Sequence, residues 1–113
     1  MSKRDDNDFL SDIKEAIRRI RKYTENKNYH DFLIDILTQD AVVRNFEVIG
    51  EAVKNLSTNL RETYTKIPWK KIAGIKDKLI HHYFGVNFEI YWTIIKEDLP
   101  NLDTQIKAII NEK

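Results

Sequence analysis

Two lysines, an aspartate, two adjacent histidines and a tyrosine are gathered in the stretch GIKDKLIHHYFG, Gly74 to Gly85. Residues of these types can bind a metal, hold a phosphate or move a proton, and their spacing narrows the choice. If the stretch is helical, each residue turns about 100° from the last. His81 and His82 then diverge by that angle and cannot both ligate one metal, unlike the histidines of an H-E-x-x-H pair. No metal site is expected. Asp77 precedes His81 by one helical turn, so its carboxylate can accept a hydrogen bond from an imidazole nitrogen, orient the ring and raise its pKa. Lys76 and Tyr83 share a face, whereas Lys76 and His81 point roughly 140° apart on an ideal helix. Their convergence needs a lysine wrapped round the helix, a helix loosened near His82, or a partner residue from a second copy of the chain. The last two are favoured, because a short bundle with so much apolar surface is a natural dimer. Tyr83 also has a plain reading as a packed ring with its hydroxyl at a wet edge. His82 is read as a surface residue and His30 as unrelated to the cluster.

The elements that would position this cluster are helices. Phe9, Leu10, Ile13, Ala16, Ile17, Ile20 and Tyr23 recur at intervals of three and four, one stripe of an amphipathic helix. Arg18, Arg19, Arg21 and Lys22 stand on its other face near the C-terminal end, where cations suit the helix dipole. TENKN interrupts this pattern. A second, longer helix follows from YHDFLIDILTQDAVVRNFEVIGEAVKNL, with apolar residues from Phe32 to Leu56 spread over so wide a surface that it must meet more than one neighbour. Within it Asp40, Arg44, Glu47 and Glu51 form a polar line, which is either a row of exposed ion pairs or the border of a cleft. LRETYTK reads as a short helical or irregular connector, and Pro68 is suited to start a third helix through WKKIAGIKDKLIHHYF, closed by Gly85. NFEIYWTIIKEDL reads as a fourth, and Pro100 starts or kinks a last one. The expected fold is all-α, an up-and-down bundle of four to five helices, in one domain over residues 1–113.

Composition agrees. The chain of 113 residues is 42% hydrophobic, enough for one modest core, and it has only three glycines and two prolines. Cysteine is absent, which removes disulfides, thiolate zinc sites and cysteine nucleophiles. No segment reaches the length needed to span a bilayer and the opening residues lack a signal-peptide core, so a cytoplasmic location is expected. Net charge is +1, yet Lys54 to His82 carries Lys54, Arg61, Lys66, Lys70, Lys71, Lys76 and Lys78 against only Glu62 and Asp77. That local excess can hold a phosphate backbone or simply form a solvated lysine-rich surface.

RNFEVIGEA at Arg44 to Ala52, IPWKKIAGIKDKLIHHYFGV at Ile67 to Val86, and the later YWTIIKEDLPNL resemble, in order and spacing, the HepT-like proteins of the HEPN superfamily. The resemblance spans nearly the whole chain. It implies a small all-α homodimer, a metal-independent RNase toxin without a cofactor, and a minimal nucleotidyltransferase as antitoxin partner. The family signature is an arginine, four residues, a histidine, one residue and a tyrosine. His81 and Tyr83 match it, while Lys76 stands where the arginine is usual, and Asp77 takes the next polar position, often asparagine. The resemblance thus implies that His81, Lys76, Asp77 and Tyr83 are catalytic, with RNA, such as tRNA, as substrate. It also makes Tyr83 a candidate for attachment of AMP by the antitoxin, which would add negative charge beside His81 and Lys76 and obstruct RNA.

Metal-free RNA cleavage uses the substrate's own 2'-hydroxyl as nucleophile, so the protein must move protons and stabilise charge on the phosphate. His81 suits the first task. For the second, a guanidinium fork outperforms the point charge of an ammonium, so Lys76 is expected to lower activity. Arg44 is a candidate second cation, with Glu51 to hold it, if their line borders the same cleft. The alternative is a non-catalytic helical module that binds RNA, nucleotide or the antitoxin, with Lys76 marking decayed chemistry.

Overall fold

A computed structural model describes residues 3–75 and 88–112 of the chain. All the regular structure among them is helical. Helix α1, Asp6–Thr24, begins where Asp5 and Asp8 cap each other: the Asp8 amide donates to Asp5 Oδ1 at 3.1 Å and the Asp5 amide to Asp8 Oδ2 at 3.0 Å. Acidic residues in its first turn and Arg21 and Lys22 in its last follow the helix dipole. Its expected stripe is the buried one, with Leu10, Ile13, Ile17 and Ile20 fully enclosed, while Phe9 is partly buried and Tyr23 emerges at the surface.

The next stretch departs from the long helix that its periodicity suggests. It divides into α2, Tyr29–Ile34, and α3, Ile36–Asn55. Between them Asp35 leaves helical geometry and becomes the N-cap of α3, accepting the Thr38 amide at 3.0 Å and the Thr38 hydroxyl at 2.6 Å. Gln39, itself buried, donates to the carbonyls of Phe32 at 2.8 Å and Leu33 at 3.0 Å, so the last turn of α2 is satisfied as well. Apolar spacing is blind to this junction, because Phe32, Leu33, Ile36 and Leu37 keep helical intervals across it. A local side-chain cap competes successfully with helix continuation.

Helix α4, Thr58–Thr63, is capped by Ser57, whose hydroxyl oxygen accepts the Leu60 amide while its own O–H and amide donate to Asp6 at the start of α1. Pro68 then forms a tight turn that leads into α5, Trp69–Ala73, which starts where expected but ends at the Gly74 cap instead of running on as one long third helix. Trp69 and Ile72 are buried, and the Trp69 indole donates to the Tyr64 carbonyl at 3.1 Å. The C-terminal part of the chain is one rod: α6, Glu89–Thr93, continues through a wide π-helical turn at Ile94–Asp98 into α7, Leu99–Glu112. The Leu99 amide donates to the Ile94 carbonyl five residues back. Pro100 accounts for the widening, since a proline offers no N–H to the carbonyl four residues before it and its ring crowds that carbonyl. The expected kink is thus taken up without ending the helix.

The buried apolar side chains form one cluster fed by α1, α3, α5 and the rod. Helix α1 lies along α3 and against α7, and α5 packs on α3. Ile106 sits at the centre with no exposed surface. Replacing it with alanine should cost about 2–5 kcal/mol, read as a lowered midpoint in chemical denaturation.

Candidate functional site

The residues singled out for chemistry, Lys76, Asp77, His81 and Tyr83, lie outside the described residues, as does Gly85 at the expected end of the third helix. The elements on either side of them are well placed in the core. On the N-terminal side, α5 is fastened to α3, and Ile75 is buried directly before Lys76. Ile75 and Ile72 face Ile94, Leu99 and Leu102 across a narrow, mainly apolar slot of about 130 Å³ with Asp98 and Gln105 at its edge. On the C-terminal side, Phe88 packs edge-on against Phe32 of α2 with ring centroids 5.7 Å apart, and Trp92 stacks on the same ring at 5.4 Å. The two ends of the candidate segment are therefore held by different parts of one core.

Tyr91 is part of this support. Its ring lies 6.1 Å from that of Phe88, and it is 3% exposed. Burial pushes its hydroxyl up to about 12, and the hydroxyl has no hydrogen-bond partner among the described residues. It stays protonated at neutral pH and acts as packing. An unsatisfied buried hydroxyl costs stability, so Tyr91→Phe should stabilise the fold by roughly 1 kcal/mol. A lowered denaturation midpoint in that variant would show instead that the hydroxyl is paired.

The basic excess of residues 54–82 is partly gathered in space. Arg61, Lys70 and Lys71 border one open surface around Trp69, with Thr65 and Pro68 between them. Lys70 and Lys71 are exposed on α5, and Lys71 also reaches the slot that Ile75 lines. A phosphate chain lying on this face would meet cations on the element that leads into Lys76, beside an indole ring.

Arg44 and Glu51 are brought into one groove, of about 370 Å³, between α1 and α3. Its other walls include Arg4, Asp12 and Glu47, and among the described residues none from α5 or α6 contributes. The carboxylate set against Arg44 is that of Glu47, at 3.7 Å, with the arginine side chain 73% exposed. Such a pair is worth little to stability and leaves the guanidinium open to solvent. Across the groove Arg4 pairs with Asp12 at 2.8 Å.

The model of the family described as ribonuclease HepT-like matches residues 13–109 of the chain. The chain belongs to the HepT-like ribonuclease family. It is 46% identical over 107 residues to a protein named "Probable ribonuclease HepT" from Thermococcus cleftensis, an alignment covering 95% of this chain and 97% of that one. It is also 46% identical over 112 residues to a protein of Methanocaldococcus jannaschii named "Putative RNase", covering 99% of this chain and 93% of its relative. Another similar protein, from Caldanaerobacter subterraneus and carrying the same RNase designation, is 42% identical over 105 residues, with 93% of this chain and 94% of that protein aligned. No solved structure matches. Family membership makes the chain an enzyme of the ribonuclease class and agrees with the all-helical fold.

The matched span contains the whole Lys76–Tyr83 cluster together with α5 and all but the last turn of the rod that flank it. Periodicity does not bring together a second group of cations, between α1 and α7, whose members come from opposite ends of the chain. In the sequence it shows only as the Arg18–Arg19–Arg21–Lys22 cluster, which the helix dipole alone can explain.

Proposed function

We propose that this chain is a metal-independent endoribonuclease in which His81 transfers the protons of 2'-hydroxyl attack and Lys76 stabilises the charge on the phosphate. Asp77 orients His81 from one helical turn before it, and Tyr83 contacts the substrate at the same place. The observation that carries this reading is the cluster Lys76–Asp77–His81–Tyr83, which follows the family's signature spacing inside the matched region. Support comes from the cations of α5 and from the packing of Ile75 and Phe88 against the core on either side of the cluster.

In this proposal the working form is a homodimer, the second copy helping Lys76 and His81 meet at one phosphate. Exposed Ile34, Ile36 and Leu37, each 70% accessible or more, offer apolar surface for association. The enzyme is the toxin of a toxin–antitoxin pair, acts on RNA such as tRNA, and is silenced by a minimal nucleotidyltransferase that attaches AMP to Tyr83. Arg44 and Glu51 are assigned a supporting place in the α1–α3 groove rather than a catalytic one. The site of action is the cytoplasm. No helix among the described residues is long and apolar enough to cross a membrane.

The test is cleavage of tRNA or another structured RNA by the purified protein in the presence of EDTA. Cleavage that persists in EDTA and disappears in His81→Ala supports the proposal. A second reading is favoured by the lysine at position 76: a non-catalytic module that binds RNA, nucleotide or the antitoxin. Binding without cleavage, unchanged in Lys76→Arg, would establish that reading instead.

A further inference from the structure

We infer that the groove between α1 and α7 is a second RNA-backbone site, separate from the segment that carries His81, which grips the substrate away from the bond being cleaved. This rests on the ribonuclease reading above. The groove has a volume of about 500 Å³, and its cations are Lys14, Arg18, Arg21, Lys22, Lys96 and Lys107. Against these six stand the carboxylates of Glu15, Glu25 and Asp103, so the lining keeps a clear positive excess.

The cations are organised, not merely numerous. Asp103 is 7% exposed and draws two of them to one oxygen: Arg21 Nη1 donates to its Oδ2 from α1 at 3.2 Å, and Lys107 Nζ from α7 at 2.9 Å. One buried negative charge thus holds two positive groups side by side, at the floor of the groove. Lys96 is fixed in a different way. Its ammonium donates to the Thr24 carbonyl at 3.0 Å and lies 4.6 Å from the centre of the Trp92 ring. That contact also covers the negative C-terminal end of α1, which would otherwise repel an anion at the mouth of the groove. On the rim, Glu15 is held down to about 2 by hydrogen bonds from Arg18 and then Arg19, so its charge is spent on the arginines. Lys14 makes no ion pair among the described residues and projects from the exposed side of α1.

The groove also lies in a useful direction. Phe88, Trp92, Lys96, Pro100, Asp103 and Lys107 succeed one another along one side of the rod, at three- and four-residue steps. Lys96 is therefore roughly 12 Å along the helix axis from Phe88, where the described chain resumes after the candidate segment. A few nucleotides can cover such a distance, and the row of cations continues beyond it. The slot lined by Ile75 lies on the other side of the rod, so the groove is not an extension of that slot. Its partner is a flexible chain of phosphates, since cations spaced along two helices suit a repeated charge better than one compact anion.

The test compares wild type with Lys14→Gln/Lys22→Gln, whose side chains are exposed and whose loss leaves the Asp103 cluster intact. Binding of a long single-stranded RNA and cleavage of long and dinucleotide substrates are measured across a salt series. The long RNA should bind on the order of tenfold more weakly, and the salt slope should fall by about 0.7 for each phosphate contact removed. KM should rise for the long substrate while kcat, and all cleavage of the dinucleotide, stay unchanged. Lys107→Gln provides an independent second variant from the other helix and should shift the long-RNA KM in the same direction. Unchanged salt slope and KM in both variants, with wild-type cleavage intact, would overturn the groove and leave the ribonuclease reading standing. The reverse also separates the two: a wild type that binds RNA but never cleaves it, with binding weakened in both variants, sinks the nuclease and supports the groove.

Discussion

Substituting His81 with alanine is expected to reduce RNA cleavage by about 10²–10⁴-fold, the usual contribution of a positioned general acid or base. The nucleophile in metal-free cleavage is the 2'-hydroxyl of the RNA itself, which must lose a proton as it attacks, while the departing 5'-oxygen must gain one. Imidazole, with an ordinary pKa near 6.5, is the side chain best matched to both transfers at neutral pH. In the proposed mechanism Asp77, four residues before it in the sequence, is the carboxylate that fixes its tautomer. The loss should appear in kcat, with RNA binding and the far-ultraviolet circular dichroism unchanged. Wild-type activity in His81→Ala protein, assayed with EDTA present, would remove His81 from the mechanism. A parallel loss of helicity would assign it to folding.

The second large effect is expected at Lys76. Removing its charge, as in Lys76→Ala, should cost about 10²–10³-fold in kcat, the range seen when one preorganised donor to a developing oxyanion is lost. Lys76→Arg should act in the opposite direction and raise activity above wild type. The guanidinium presents two parallel N–H donors to two phosphate oxygens, whereas the ammonium concentrates its charge at one point and holds its water more tightly. The two variants bracket the native residue, which makes the outcome hard to mistake for a change in stability. If arginine gives no gain and alanine no loss, the lysine has no part in the chemistry, and the binding-module reading gains ground.

Much of the fold was legible as periodicity. The stripe from Leu10 to Ile20 is buried as its spacing requires, and most apolar residues of α3 and the rod join the same cluster, whereas Ile36 and Leu37 at the start of α3 and Ile90 of the rod face outward despite their helical spacing. The break at Asp35 was hidden because its cause is a polar side chain that caps a new helix, while the apolar intervals run on undisturbed. Pro100 was visible as a disturbance, but its consequence was not. Whether a proline ends a helix or widens one turn depends on whether packing holds the next turns in line, and here Ile95, Leu99, Leu102 and Ile106 are all buried in the core. Of the proposed site, the residue types and their spacing were legible, including the lysine that replaces the usual arginine. Arg44 and Glu51 belong to one polar line in the sequence and line one groove in the structure, where Arg44 pairs with Glu47 of the same line.

By itself the sequence determined the helical class, the stripes that become the core, and a basic segment ending in a histidine with an aspartate four residues before it. These are local properties, set by side-chain type and by intervals of three and four residues. Only the tertiary structure decided which distant charges share a space. Arg21 and Asp103 are separated by 82 positions in the chain yet form one ion pair, and Lys96 closes the end of a helix that finished 72 residues before it. No periodicity encodes such meetings, because they follow from the whole apolar cluster bringing α1 and α7 together, and the charges on their rims are carried along with the packing.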